Sequence, residues 1–201
     1  NIISRTWINI NTIKITLPVE QFANFKNEIF DILKNNNEIC TYREFIQNKR
    51  YIKKALKQKD HDLVRILLSK EIKKGSVIYK IDAKNKTASF FKIIGVTSNV
   101  HIPYSIQYDS DTYLVTSMVS IKDFLGLPSK GNINFDEKSQ IRTIYKNAFT
   151  SIVITELFIP DILTELKEGW CNNTRLLFPH QIKISFGKIT NFYLEKPIQK
   201  V

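Results

Sequence analysis

Glycine is scarce in this chain, with six residues in 201, and no glycine-rich phosphate loop can be assembled from them. The three histidines, His61, His101 and His180, lack the spacing of a metal site or of a base beside a nucleophile. Two cysteines, Cys40 and Cys171, give neither metal-ligand spacing nor a disulfide framework, and both read as ordinary thiols. No apolar run reaches the roughly 18 residues that a membrane-spanning helix needs. No secretory signal is visible either. The chain opens at Asn1 rather than Met, as a fragment or a processed form does, so that absence carries no weight. Asp109 and Asp111 lie in a turn and read as a solvated pair sooner than as a cation site. With no catalytic constellation in sight, the expectation is a non-enzyme without a cofactor.

What the chain does have is positive charge and enough apolar material for a core. Its 30 Lys and Arg outnumber 19 Asp and Glu, for a net charge of +11, while 43% of the residues are hydrophobic. Residues 1–75 hold 15 basic and 8 acidic side chains, so the excess leans toward the N-terminal third. Such an excess favours acidic partners without specifying a fold. Asn is abundant, and two Asn-x-Thr sequons occur, at Asn85 and Asn172. They matter as glycosylation sites if the chain is exported.

Three organisational blocks follow from the patterning. Residues 1–75 form a basic helical segment. Ile13, Ile15 and Leu17 alternate as a short strand, and Pro18 opens a helix that carries Phe22, Phe25, Ile29, Ile32 and Leu33 and ends in the Asn run near position 35. A second helix runs from about Tyr42 to Lys57, with Phe45, Ile52, Ala55 and Leu56 on one face. Lys49, Arg50, Lys53, Lys54 and Lys57 fall on the adjoining arc at i, i+4 steps. Two readings of that arc stand: a solvated face, or a footprint for an acidic surface or nucleic acid. A third helix runs from about Asp60, as N-cap, to Lys73, with Gly75 just beyond its end. The pair resembles an ankyrin helix pair, and a simple helical hairpin fits as well. Residues 76–99 read as a β-hairpin cap, with Ser76–Asp82 paired to Thr87–Ile93 across a turn at Asp82–Lys86.

From residue 100 the sequence repeats. Four short strands recur, Val100–Ile102, Ile133–Phe135, Leu157–Ile159 and Ile182–Ile184, at spacings of 33, 24 and 25 residues. Between them a second element recurs: Val115-Thr-Ser-Met118, Ile141-Arg-Thr-Ile144 and Leu163-Thr-Glu-Leu166, followed by Phe124, Phe149 and Trp170. Trp170 is thereby placed where Phe149 stands and is expected in the core. Units of this size cannot bury an apolar face alone and must stack.

The segments Ile141-Arg-Thr-Ile-Tyr-Lys-Asn-Ala-Phe149, Leu157-Phe-Ile-Pro160 and Leu163-Thr-Glu-Leu-Lys-Glu-Gly-Trp-Cys171 resemble the repeat of BspA-like leucine-rich proteins, above all the surface antigens of trichomonad protists. His101 to Tyr108 and Tyr113 to Ser117 resemble their first coil. The likeness covers about residues 76–194 and is strongest over 100–178. Two features depart from the family. Only three to four repeats are present, and the pattern drifts after Phe178, where either the solenoid ends or the sequence is a fragment. The resemblance implies an α+β chain: the N-terminal helical segment, then a short leucine-rich-repeat β-solenoid over 100–201. It also implies a protein-recognition role as an adhesin-like molecule at the cell surface or outside the cell. The alternative is a cytoplasmic or cytoskeletal scaffold that docks through its basic helices on RNA, a microtubule or a protein complex. On the solenoid reading His101, Asn134, Phe158 and Lys183, set between core aliphatics, face outward on the sheet and bind the partner. Phe158 is either an exposed anchor or a residue covered by a neighbouring segment.

Overall fold

The computed structural model describes residues 23–34, 39–94, 99–119, 130–146, 148, 153–159, 165–167, 170, 175–176 and 183–184. The expected strand at 13–17 and the start of the first helix at Pro18 lie outside them. Among the described residues the chain is α+β, with three α-helices and two sheets that do not close into a barrel. It divides into two compact units, one of residues 1–71 with 81–85, the other of residues 72–80 with 86–201.

The first unit is helical. A 3-10 turn at Ala23–Phe25 leads into α1 (Lys26–Lys34), followed by α2 (Tyr42–Lys57) and α3 (His61–Leu68). Ile29 and Leu33 of α1 are buried, as are Phe45, Ile52, Ala55 and Leu56 of α2 and Val64, Leu67 and Leu68 of α3. Their i, i+3 and i+4 spacing explains why these stretches are helices. Capping fixes the ends. The Glu44 N–H donates to Thr41 Oγ1 (3.3 Å), and the Thr41 N–H donates back to Glu44 Oε2 (2.8 Å), a reciprocal box that satisfies two orphan donors of α2. At the other end Lys59 takes the left-handed conformation, φ +54°. The Lys59 N–H then reaches Leu56 O and the Asp60 N–H reaches Ala55 O, both at 3.0 Å, the paired bonds of a Schellman motif. Asp60 immediately caps α3 by accepting from the Leu63 N–H (3.1 Å), in the role its sequence position gives it.

The third helix is shorter than the sequence implies. It stops at Leu68, and Lys70–Lys74 form strand β1 instead. The Ser69 hydroxyl donates to the Arg65 carbonyl (2.8 Å), serving an orphan acceptor of the last turn, and Ser69 bridges antiparallel to Ile39. Beyond Leu68 the strand buries Ile72 alone, with Lys70 and Glu71 half-buried and Lys73 and Lys74 exposed. Gly75 is accordingly no helix cap. With φ +58° it makes the two-residue turn from β1 into β2 (Val77–Asp82).

The second unit is built of strands. The hairpin of β2 and β3 (Thr87–Ile93) forms as the alternation requires, across a turn at residues 83–86. Ala88, Ser89, Phe90 and Phe91 of β3 are all buried, so this strand is covered on both faces. Chain order beyond it is β4 (Asn99–Ile102), β5 (Ser105–Tyr108), β6 (Asp111–Met118), β7 (Lys130–Phe135), β8 (Thr143–Ile144), β9 (Val153–Ile159), β10 (Glu165–Leu166), β11 (Arg175–Leu176) and β12 (Lys183–Ile184). One sheet runs β1-β2-β3-β6-β8-β10, with β5 added antiparallel to β6 through the loop Asp109–Ser110. The other runs β11-β9-β7-β4, with β12 also on β9. From β6 to β10 the chain visits the two sheets alternately, and each return lays a strand parallel to the last one. Thr143 pairs with Glu165 and Val153 with Arg175, each 22 residues on, while Phe158 pairs with Lys183, 25 residues on.

That register moves one expected correspondence. Ile144 lies beside Leu166. The Ala148 N–H donates to Tyr145 O and the Trp170 N–H to Lys167 O, both at 3.1 Å, so the two turns are equivalent. Trp170 therefore takes the place of Ala148 rather than of Phe149. Both are buried, at 3% and 1% exposure, so the core position expected for Trp170 is observed.

Candidate binding face

The β4-β7-β9 ladder aligns the four residues that alternation selects. In β4, His101 is exposed between buried Val100 and Ile102, because successive strand side chains point to opposite faces. His101 pairs with Asn134 of β7, which is likewise exposed and precedes buried Phe135. The register continues through Ile133 opposite Leu157, so Asn134 and Phe158 each follow that pair by one residue. Phe158 then pairs with Lys183 of β12. One residue per strand, the four make a row across the sheet at steps of about 4.8 Å. The side-chain surroundings of Phe158 and Lys183 lie outside the described residues.

The basic arc lies in the other unit, on α2. Arg50, Lys54 and Lys57 are exposed, and Lys49 and Lys53 are half-buried. Among the described residues none of the five forms an ion pair, although other cations do: Lys34 with Asp31, Arg65 with Asp62 and Asp82, and Lys86 with Asp111. Arg43, which sequence reading left out, is exposed on the same arc one i, i+7 step before Arg50. The opposite flank is packed by Phe45, Ile52 and Leu56, with Asn48 buried among them and donating to Glu71 Oε1 (3.4 Å). The sole acidic residue of α2, Glu44, is committed to the N-terminal capping box.

Asn85 is exposed in the β2–β3 turn, where its Nδ2 donates to Asp82 Oδ2 (2.8 Å). Asn172 lies outside the described residues. Asp111 holds the Lys86 ammonium, and that hydrogen bond keeps the Lys86 pKa above its ordinary value. The same ammonium lies 5.4 Å from the Tyr113 ring centroid. His61 Nε2 is 2.6 Å from Glu28 Oε1, tying α3 to α1. No group of three His, Cys, Asp or Glu that could hold a metal ion occurs among the described residues. No helix among them is long and apolar enough to cross a membrane.

The chain matches no protein-family model and no curated protein sequence. Two solved structures are similar to it. One is a leucine rich cell surface protein from Faecalibacterium prausnitzii A2-165, 15% identical over 60% of this chain and 44% of that one, with a TM-score of 0.30. The other is the pneumococcal vaccine antigen PcpA, 14% identical over 59% of this chain and 50% of that one, with a TM-score of 0.25. The chain thus spans about half the length of each of these proteins.

Proposed function

We propose that the chain is a non-catalytic protein-recognition module, a short leucine-rich solenoid of BspA-like type that presents its parallel ladder to a protein partner at the cell surface or outside the cell. The observation that carries this reading is the side-by-side exposure of His101 and Asn134 on adjacent parallel strands whose flanking residues Val100, Ile102 and Phe135 are buried. The 22- to 26-residue steps of the parallel pairings from β6 and β7 onward support the solenoid, since they fall within the range of leucine-rich repeats. Phe158, in register beside Lys183, adds an aromatic residue to the row, the residue class enriched at interface hot spots.

Two measurements test the proposal. Protease treatment of intact cells, followed by blotting for this chain, is expected to cleave it; full protection until lysis refutes the surface location. Binding of the purified chain to immobilised surface and matrix proteins is expected to saturate, and to weaken at least tenfold in Asn134→Arg, a substitution at an exposed position of the row. Undiminished binding by that variant, or by Phe158→Ala, removes the sheet row as the site.

A further inference from the structure

We infer that α2 carries a second, independent binding surface, for the phosphate backbone of a nucleic acid. Its basis is geometric. Arg43, Lys49, Arg50, Lys53, Lys54 and Lys57 lie on one arc of a single helix and span about 21 Å at 1.5 Å per residue. Within that arc Lys49, Lys53 and Lys57 stand about 6 Å apart, as do Arg50 and Lys54, a step comparable to that between successive phosphates on a strand. None of the six forms an ion pair among the described residues, and from Phe45 to Lys57 the helix holds no acidic side chain. Fold stability does not explain this arrangement. The helix dipole favours cations in the last turn, at Lys54 and Lys57, but gives no such benefit to Arg43, Lys49 or Arg50. Like charges at i, i+4 cost a few tenths of a kcal/mol per pair.

The chemistry of the arc selects among polyanions. A membrane surface is disfavoured because insertion needs exposed apolar side chains, and the large exposed ones among the described residues, Phe30, Ile94, Tyr104 and Leu114, all lie off α2. The apolar face of α2 is itself sealed, with Phe45, Ile52, Ala55 and Leu56 at or below 1% exposure. Six cations along one helix arc of about 21 Å match the continuous, closely spaced charge of a phosphate backbone better than the scattered carboxylates of an acidic protein surface. No exposed aromatic residue of α2 is available to stack on bases, so binding is through the backbone and independent of base sequence.

Fluorescence anisotropy of the full chain with a mixed-sequence DNA duplex of about 20 base pairs, across a salt series, tests the inference. Three to five phosphate contacts predict a log–log salt slope of roughly −3 to −4.5, a loss of about 60- to 500-fold between 50 and 200 mM salt. Lys53→Gln and Lys57→Gln are each expected to reduce the slope by about 1, equally for unrelated sequences. Lys84→Gln removes the same charge from an exposed turn of the same unit and is expected to leave the slope unchanged. Far-UV circular dichroism of each variant confirms that the helices persist. The inference is overturned if Lys84→Gln acts like Lys53→Gln, since net charge alone then governs binding. It is also overturned if polyglutamate, heparin or phosphatidylserine vesicles bind more tightly than the duplex at equal charge concentration. The sheet row plays no part in this assay, so Asn134→Arg is expected to bind DNA as the parent does.

Discussion

A buried pair of hydroxyls gives the sharpest test of the parallel ladder. Ser89 of β3 and Ser117 of β6 are register partners, and the Ser117 hydroxyl donates to the Ser89 hydroxyl at 2.7 Å. Each residue is 6% exposed, so water is a poor substitute for either partner. Replacing Ser117 by Ala removes the donor and leaves the Ser89 oxygen buried; replacing Ser89 leaves the Ser117 proton without its acceptor. Each single change is expected to cost about 1–3 kcal/mol, the desolvation penalty of the stranded group. Replacing both leaves two methyl groups of similar shape in contact, so the double variant is expected to lie within about 1 kcal/mol of the parent. The coupling energy of the cycle is then about 3 kcal/mol in magnitude. Urea unfolding reads it directly, because the midpoint multiplied by the slope gives each stability. A Trp7→Phe background makes Trp170, buried in the same unit, the fluorescent reporter. A double variant whose cost equals the sum of the singles refutes the pairing. So does a shift of register by one residue, which places Phe90 rather than Ser89 opposite Ser117.

Three further outcomes are expected. Lys59→Gly relieves the left-handed strain at φ +54° on an exposed residue and should stabilise the helical unit by about 1 kcal/mol in thermal melts; an unchanged or lower midpoint contradicts the Schellman assignment. Ile52→Ala, at a position with 0% exposure in α2, should cost about 2–5 kcal/mol by urea titration, and a cost below 1 places that face outside the core. Tyr79 packs edge-on against Phe90, with centroids 5.6 Å apart, and burial pushes its phenol up from 10.0 to about 12. The unfolded chain therefore releases this proton from pH 10 upward while the folded chain keeps it. Stability is intact below pH 10 and falls by about 3 kcal/mol as the pH rises through 12. Tyr79→Phe should lose that part of the alkaline decline, and identical pH profiles for the two proteins contradict the burial account.

Those elements whose chemistry is local were legible in the sequence. The Asp60 cap, the amphipathic stripe of α2, the Asp82–Lys86 turn and the alternation around His101 all follow from neighbours a few residues apart. Strand β1 was not legible, because Lys70–Lys74 contains a single buried residue, Ile72, and Gly75 serves a helix end and a hairpin turn equally well on paper. The match of Trp170 to Ala148 was hidden for a different reason. Aromatic spacing placed Trp170 with Phe149, and only the strand pairing of Ile144 with Leu166 set the turns in phase. At the candidate face, alternation named the four residues singly, while their alignment into one row depends on pairings between strands 24 to 33 residues apart, which no local pattern encodes. Arg43 escaped notice because it stands six residues ahead of the dense Lys49–Lys57 cluster.

The exchange of Ala148 for Trp170 at equivalent buried turns makes the two segments that carry them non-interchangeable. Repeats with identical fillings tolerate slippage, since a coil displaced by one unit meets the same cavity again. Here a slipped chain presents an indole to a slot shaped for a methyl group, and a methyl group to a slot shaped for an indole. Overpacking of the first kind and a void of the second both cost several kcal/mol. The order of these two segments is thereby encoded in side-chain volume. Exchanging the residues at the two turns, Ala148→Trp with Trp170→Ala, should therefore destabilise the fold by several kcal/mol, and mispairing of these segments between two chains is penalised by the same mismatch.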